Sequence, residues 1–310
     1  MTKQKKYSGV AVPMVTPFTG AGKTDKESVH KLVAHLVAAG THPFVAGTTG
    51  EGPSIPKAEK KVLVAEAVKA AADQGPVYAG ISSNCLAESI EEAQAYRDLG
   101  AAAIVATMPA YYPADNDAML RYFTALADRS PLPLMIYNIP ATTHLSIPIS
   151  TVDKLSAHPN IVGFKDSEKG MERIDEATGL WKDRDDFSYF IGWAIQSQYA
   201  LQRGADGIVP SSGNLVPAVY KSILDASLQG DETSAAKAQQ KSDLVSAMYQ
   251  KDRTLGASLA AFKVMLHAYG LCGPHMLPPL YRVSAEEERG LLTSVRETFG
   301  DLITINQIDQ

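Results

Sequence analysis

The sequence predicts an α/β protein: a (β/α)8 TIM barrel with a C-terminal helical extension. Three observations lead there. Short apolar runs alternate with longer amphipathic ones eight times, the runs are apolar almost throughout, and no further strand pattern follows residue 209. Near-continuous apolar strands belong to a parallel sheet covered on both faces. Eight strand–helix units close most naturally into a barrel. The competing arrangement is a doubly wound open sheet. It expects Gly-x-Gly-x-x-Gly after the first strand, where this chain has Val12-Pro13-Met14-Val15-Thr16-Pro17.

The elements follow in order. Residues 9–15 read as the first strand. Residues 25–39 read as a helix with Val29, Leu32, Val33, Leu36 and Val37 on one face. Residues 44–46 are the second strand, and 57–72 a helix with Val62, Leu63, Ala65, Glu66 and Lys69 in helical rhythm. The pairs 77–80 with 86–99 and 101–107 with 116–127 come next, Gly100 marking the end of a helix. Strands at 134–137, 161–165, 187–192 and 207–209 are followed by helices at 148–157, 171–181, 194–203 and 216–228. Beyond these, 233–249, 258–269 and 285–299 read as helices alone. Residues 1–230 are therefore expected to form the barrel, and 231–310 an extension packed on it.

Composition narrows the function. A net charge of −5 lacks the clustered Lys and Arg of a nucleic-acid surface. The only basic cluster, Lys3, Lys5 and Lys6, reads as a solvated tail. Cys85 and Cys272 form neither a disulfide framework nor a zinc motif, which suits a reducing compartment. No run approaches the roughly 18 apolar residues of a membrane span, and Pro13 and Pro17 interrupt the early apolar stretch where a signal peptide would need continuity. The expectation is a cytoplasmic protein with no nucleic-acid and no membrane partner.

Barrel chemistry sits at the C-terminal strand ends. Here those ends carry Gly47-Thr48-Thr49-Gly50-Glu51-Gly52, Pro109-Ala110-Tyr111-Tyr112-Pro113, Tyr137-Asn138-Ile139-Pro140, Lys165, Gly192 and Pro210-Ser211-Ser212-Gly213-Asn214. Lys165 is the sharpest signal. An ammonium ending an apolar strand sheds hydration, which lowers its pKa and frees a nucleophilic amine able to condense with a carbonyl. Each of the others has a plain structural reading: Gly-Thr-Thr-Gly a tight turn, the tyrosines core or interface aromatics, Asp166 and Glu168 solvated or helix-capping charges. Asn84 reads as an N-cap for the helix at 86–99. No His/Asp/Glu cluster converges on the strand ends, so no metal site is expected.

Taken together, these motifs resemble the dihydrodipicolinate synthase / N-acetylneuraminate lyase family of class I pyruvate-dependent aldolases. The likeness continues through Gly204-Ala205-Asp206-Gly207-Ile208, Asn214-Leu215-Val216-Pro217, Phe262-Lys263 and Leu277-Pro278-Pro279-Leu280. It implies that Lys165 forms a covalent imine with pyruvate, needing no separate cofactor or metal because the imine itself is the electron sink. It further implies Tyr137 as general acid/base, relayed through Thr48 and a tyrosine lent by a neighbouring subunit, Tyr112 first and Tyr111 second. Thr49 and the backbone of the Gly47–Gly50 turn would grip the pyruvate carboxylate, since glycines admit close backbone approach to an anion. Val209 would line the pocket through its carbonyl, with Gly192 and Thr142 toward the second substrate. A borrowed tyrosine implies a homodimer or homotetramer.

The chain also departs from its relatives. Thr142 stands where the lysine-precursor synthases carry an arginine for the aldehyde's carboxylate, and a threonine supplies no bidentate cation. Gly192-Trp193-Ala194-Ile195 is apolar where sialic-acid lyases are acidic. Lys57 and Lys60 replace two histidines of the synthases' lysine-feedback site, predicting no lysine inhibition, although Asn84 and Glu88 are in place. The first reading is therefore a pyruvate-dependent aldolase of 2-keto-3-deoxy sugar acids or similar 2-keto acids. The alternative is a dihydrodipicolinate synthase condensing pyruvate with aspartate semialdehyde. Dehydratases and hydroxy-oxoglutarate aldolases share the family. A ligand-binding protein on an inactive barrel is the non-enzyme reading, disfavoured by the full set of Lys165, Tyr137, Thr48, Thr49 and the tyrosine pair.

Overall fold

Eight parallel strands close on themselves in sequence order in the computed structural model, which describes residues 5–299. They are β1 (Gly9–Pro13), β2 (His42–Val45), β3 (Tyr78–Ile81), β4 (Ala103–Thr107), β5 (Leu134–Asn138), β6 (Ile161–Asp166), β7 (Ser188–Ile191) and β8 (Gly207–Ile208). β8 closes the barrel by pairing Gly207 with Gly9 and Ile208 with Val10. The expected (β/α)8 architecture with C-terminal helices is present.

Side chains alternate across each strand. One set, with Val45, Ile104, Ile136 and Phe164, packs outward against the helices. The other, with Ala11, Phe44, Tyr78, Val105, Met135 and Phe190, fills the barrel interior. Buried on both faces, the strands need no polar side, which is why they read as unbroken apolar runs. Burying one Leu or Phe side chain contributes about 1.5–3 kcal/mol, so this double core dominates the stability.

The helices lie close to their expected positions, and the differences have local causes. The helix Lys57–Ala71 buries Lys60, Leu63, Val64, Ala67 and Ala71, a stripe offset from the one read in the sequence, because Lys60 has a buried acidic partner. The stretch 194–203 divides into a 3-10 turn, Ala194–Gln196, and a helix, Ser197–Gln202. A one-turn helix, Pro140–Thr143, follows β5. Beyond the barrel strands run Pro217–Gln229, Glu232–Gln250, Leu255–Ala268 and Ala285–Phe299. Thr254 caps the third through the Ala257 N–H, moving its start ahead of the expected residue 258. No described helix is long and apolar enough to cross a membrane.

Two expectations fail. Lys5 is no solvated tail: its Nζ donates to the carbonyls of Trp181 (2.8 Å) and Phe187 (2.9 Å) and to Asp206 (2.9 Å). The ammonium thereby ties the end of the helix Met171–Trp181 to the residue that precedes β7. Lys3 lies outside the described residues. Asn84 does not cap the following helix, Leu86–Asp98, whose N-cap is Cys85. Its Oδ1 instead accepts the Ala110 N–H at 3.0 Å, tying down the loop that carries Tyr111 and Tyr112.

Candidate active site

Strand register assembles the centre of the site. Thr107 pairs with Tyr137, Tyr137 with Lys165, and Lys165 with Phe190 across four adjacent strands. Residues in register on parallel strands point the same way, so these four side chains all face the barrel interior. Lys165 is 4% exposed. Its Nζ sits 3.5 Å from the Tyr137 ring centroid and 4.8 Å from that of Phe44. Burial pulls the amine below the ordinary lysine range, against an opposing pull from the Tyr137 phenol.

Two spaces share Phe44 and Val105 as walls. The outer, about 230 Å³, is lined by Gly47, Thr48, Pro53, Ser82, Thr107 and Tyr137. The inner, about 240 Å³, is lined by Lys165 with Ala11, Tyr78, Met135, Phe190 and Val209. The Tyr137 hydroxyl lies 3.4 Å from Thr48 Oγ1. Burial pushes this phenol up, but the Lys165 charge and the hydroxyls of Thr48 and Ser167 outweigh it and leave the value lowered.

The turn after β2 is tight and strained. Ala46 (φ 54) and Glu51 (φ 58) both adopt the left-handed region although they carry side chains. The amides of Glu51 and Gly52 are taken by the Thr48 and Gly47 carbonyls. Those of Thr48 and Thr49 have no protein acceptor among the described residues, leaving two donors beside two half-buried hydroxyls. A Cβ on Gly50 would press on the Met14 carbonyl, and one on Gly47 on the Phe44 ring. Free backbone amides in a turn are the donors from which an anion-binding concavity is built.

Thr49, Gly50, Gly192 and Thr142 stand outside the cavity walls. Thr142 returns its hydroxyl to the Ile139 carbonyl at 3.4 Å. The Gly192 N–H donates to the Asp166 carbonyl at 2.6 Å, and a Cβ there would run into Ser167. Tyr111 and Tyr112 meet edge to face at 4.9 Å, each 76% exposed. Within one protomer they do not join Tyr137 and Thr48.

Asp166 departs from the solvated reading. One residue beyond Lys165, it faces away from the interior and is 1% exposed. It accepts from Arg173 Nε (2.5 Å), Asn138 Nδ2 (2.9 Å) and the Glu168 N–H (3.0 Å). Burial raises its carboxyl, with Arg173 and Asn138 pulling the other way. Glu168 accepts from Asn138 (2.8 Å) and Ser146 (2.7 Å), so one polar network braces the loops flanking Lys165. Sequence reasoning missed Phe44, Ser82, Thr107, Ser167 and Phe190. Thr107 and Ser82 were findable, since each ends or follows a strand on the same rim. Among the described residues no three His, Cys, Asp or Glu side chains are placed to hold a metal ion.

A buried amine at a barrel strand end, with a phenol against it and a turn with free amides on the same rim, is the group set of a Schiff-base lyase or aldolase. The comparisons agree. The sequence model of the Dihydrodipicolinate synthetase family matches residues 6–298. The chain is 34% identical over 293 residues to 4-hydroxy-tetrahydrodipicolinate synthase 1 of Streptomyces coelicolor, covering 93% of each chain. It is 31% identical to the synthase of Exiguobacterium sibiricum, covering 95% of this chain and 99% of the relative. Among solved structures it is similar to YagE, a prophage protein of the same family from E. coli K12 in complex with pyruvate. That match has 28% identity, covers 94% of this chain and 98% of YagE, and has a TM-score of 0.88. The synthase of Bacteroides thetaiotaomicron matches with a TM-score of 0.89 at 28% identity, over 95% and 99% of the two chains. The chain belongs to the dihydrodipicolinate synthetase family, and its activity is that of a class I, pyruvate-dependent aldolase or lyase.

Proposed function

We propose that Lys165 attacks the ketone of pyruvate to form an imine, whose enamine then adds to an aldehyde or, in reverse, arises by cleavage of a 2-keto acid. The observation that carries this reading is the 4%-exposed Lys165 amine against the Tyr137 ring. A partly desolvated amine is nucleophilic where a hydrated ammonium is not. Loss of water from the carbinolamine and removal of a methyl proton each need a proton carrier. Tyr137 serves as that carrier and Thr48 is its next hydroxyl. Thr49 and the free amides of the Gly47–Gly50 turn hold the carboxylate. The imine nitrogen takes the electron pair, so the proposed cycle requires no other cofactor. Support for pyruvate comes from YagE, solved with it bound.

The relay is completed by Tyr112, or Tyr111, from a second copy of the chain. Their exposure supports this, because a T-shaped tyrosine pair facing water is apolar area awaiting a partner. The working form in this reading is a dimer or tetramer.

For the aldehyde, the relatives' names favour aspartate semialdehyde over the sugar-acid product that the sequence put first. We take the synthase reaction as the leading assignment. One observation keeps the second reading: Thr142 brings no charge, and Arg173 is already engaged by Asp166 and the Ile147 carbonyl. A neutral, hydroxylated aldehyde needs no such cation. The test is intact mass and peptide mapping after pyruvate and borohydride, then turnover on a panel of aldehydes. A reduced pyruvyl adduct on Lys165, with fastest turnover on aspartate semialdehyde, is expected. No adduct on folded protein would overturn the chemistry; preference for glyceraldehyde or a sugar acid would reverse the substrate order.

A further inference from the structure

The turn that ends β2 is fastened from behind by a pair that the proposed chemistry does not use. Glu51 directly follows Gly47-Thr48-Thr49-Gly50 and has a wholly buried carboxylate. Lys263, from the helix Leu255–Ala268, donates to its Oε1 at 2.5 Å and to the His275 carbonyl at 2.7 Å. The Leu277 N–H donates to Oε2 at 3.0 Å. The two side chains are 1% and 0% exposed, and the Lys263 ammonium lies 4.3 Å from the Phe18 ring centroid. Segments following β1 and β2 and the C-terminal helices thus meet at one carboxylate.

A buried ion pair is a poor device for stability alone, since apolar side chains of similar volume do as well or better. What it fixes is geometry. Glu51 is held in the left-handed region, and its own amide is bonded to the Thr48 carbonyl at 3.1 Å. A shift of Glu51 is therefore a shift of the Thr48 and Thr49 donors. Misplacing a substrate-gripping group by about 1 Å can cost roughly a hundredfold in kcat/KM, and here that loss falls on capture of the carboxylate.

We propose that Glu51 and Lys263 are positioning residues for the carboxylate-gripping turn, which makes the helix Leu255–Ala268 a working part of the active site. The proposal rests on the pyruvate reading above. It predicts that the pair governs recognition of the carboxylate and leaves the amine's own reactivity alone.

The test compares pyruvate with acetone, a ketone lacking the carboxylate, by borohydride trapping on Lys165. The double variant Glu51→Gln with Lys263→Met removes both charges and leaves neither unpaired. Its half-saturating pyruvate concentration should rise about tenfold or more. Acetone trapping should stay at the wild-type rate, and turnover at saturating pyruvate should remain within about threefold. Pyruvate and acetone trapping falling together, or half-saturation unchanged, would overturn the proposal. If the double variant does not fold, amide exchange on the wild-type protein decides. Saturating pyruvate should slow exchange of the Leu277 N–H together with the turn amides, because coupling between sites is reciprocal. Protection of the turn with Leu277 unaffected would reject the proposal. A wild-type protein that never forms the pyruvyl adduct would remove the underlying reading, and this proposal with it; an adduct with an unchanged variant removes the proposal alone.

Discussion

The Lys165 ammonium nitrogen lies 3.5 Å from the centroid of the Tyr137 ring, over its face. The ring's negative face stabilises the charged amine, while burial opposes that charge. Burial wins, and the amine sits below its ordinary range.

Lys165→Met should abolish the pyruvyl adduct and raise the melting temperature at neutral pH. Below the lowered folded pKa both folded and unfolded chains carry the proton, so the burial penalty is fully present. Between that value and the unfolded value of about 10.4 the folded chain sheds the proton first, and stability rises with pH. The variant's advantage, about 2 °C or more near pH 7 for roughly 1 kcal/mol, should shrink as pH approaches 10. Calorimetry across that range checks the sign; an advantage that grows with pH would refute it.

Tyr112→Phe should lower turnover about ten- to a hundredfold, as loss of a proton relay does, while borohydride trapping of pyruvate persists. Tyr111→Phe should change little. Both variants are assayed with sedimentation at the same concentration. A fully active monomer would dismiss the lent tyrosine.

Thr142→Arg should strengthen binding of aspartate semialdehyde. A charge-assisted hydrogen bond to its carboxylate is worth about 1.5–3 kcal/mol, or roughly ten- to a hundredfold in KM. KM for a neutral aldehyde should not fall. If both aldehydes respond alike, Thr142 does not face the second substrate.

Free lysine should not inhibit. Lys57 already reaches Glu88 at 2.8 Å, and Lys60 reaches Glu92 at 2.9 Å. The chain's own ammonium groups occupy the carboxylates that a free lysine would seek. Initial rates across a millimolar lysine series are the check, and a saturable loss of activity would contradict it.

Lys5→Met should destabilise the barrel by about 3 kcal/mol, the usual cost of removing one partner of a buried pair. The side chains of Lys5 and Asp206 are 6% and 11% exposed, so water replaces the lost ammonium poorly. Urea unfolding with an unchanged m-value measures it.

The barrel and the lysine were legible because both are written in local pattern. Eight apolar runs give the strands, and an ionisable residue ending one of them announces itself. What was missed depends on contacts distant in sequence. Lys5 looked like a free tail because its acceptors lie 176 to 201 residues away. Asp166 looked solvated because only the assembled helix Met171–Trp181 brings Arg173 over it. Asn84 had the residue type and place of an N-cap, but the Ala110 amide competes for its side chain. Phe44 was read as one more strand residue, and only barrel closure makes it the wall between the two spaces.

The closure of the barrel also sets an order on its making. β1 leaves the ribosome before every other barrel strand, yet its second neighbour is the two-residue β8, almost two hundred residues later. Until residues 206–208 emerge, Lys5 has no Asp206 and the sheet grows as an open ribbon with both edges bare. Synthesis at about 5–20 residues per second leaves that ribbon unclosed for roughly ten seconds or longer. Edge strands this apolar invite pairing with other chains. The nascent protein therefore has its greatest need of a chaperone just before its shortest strand appears.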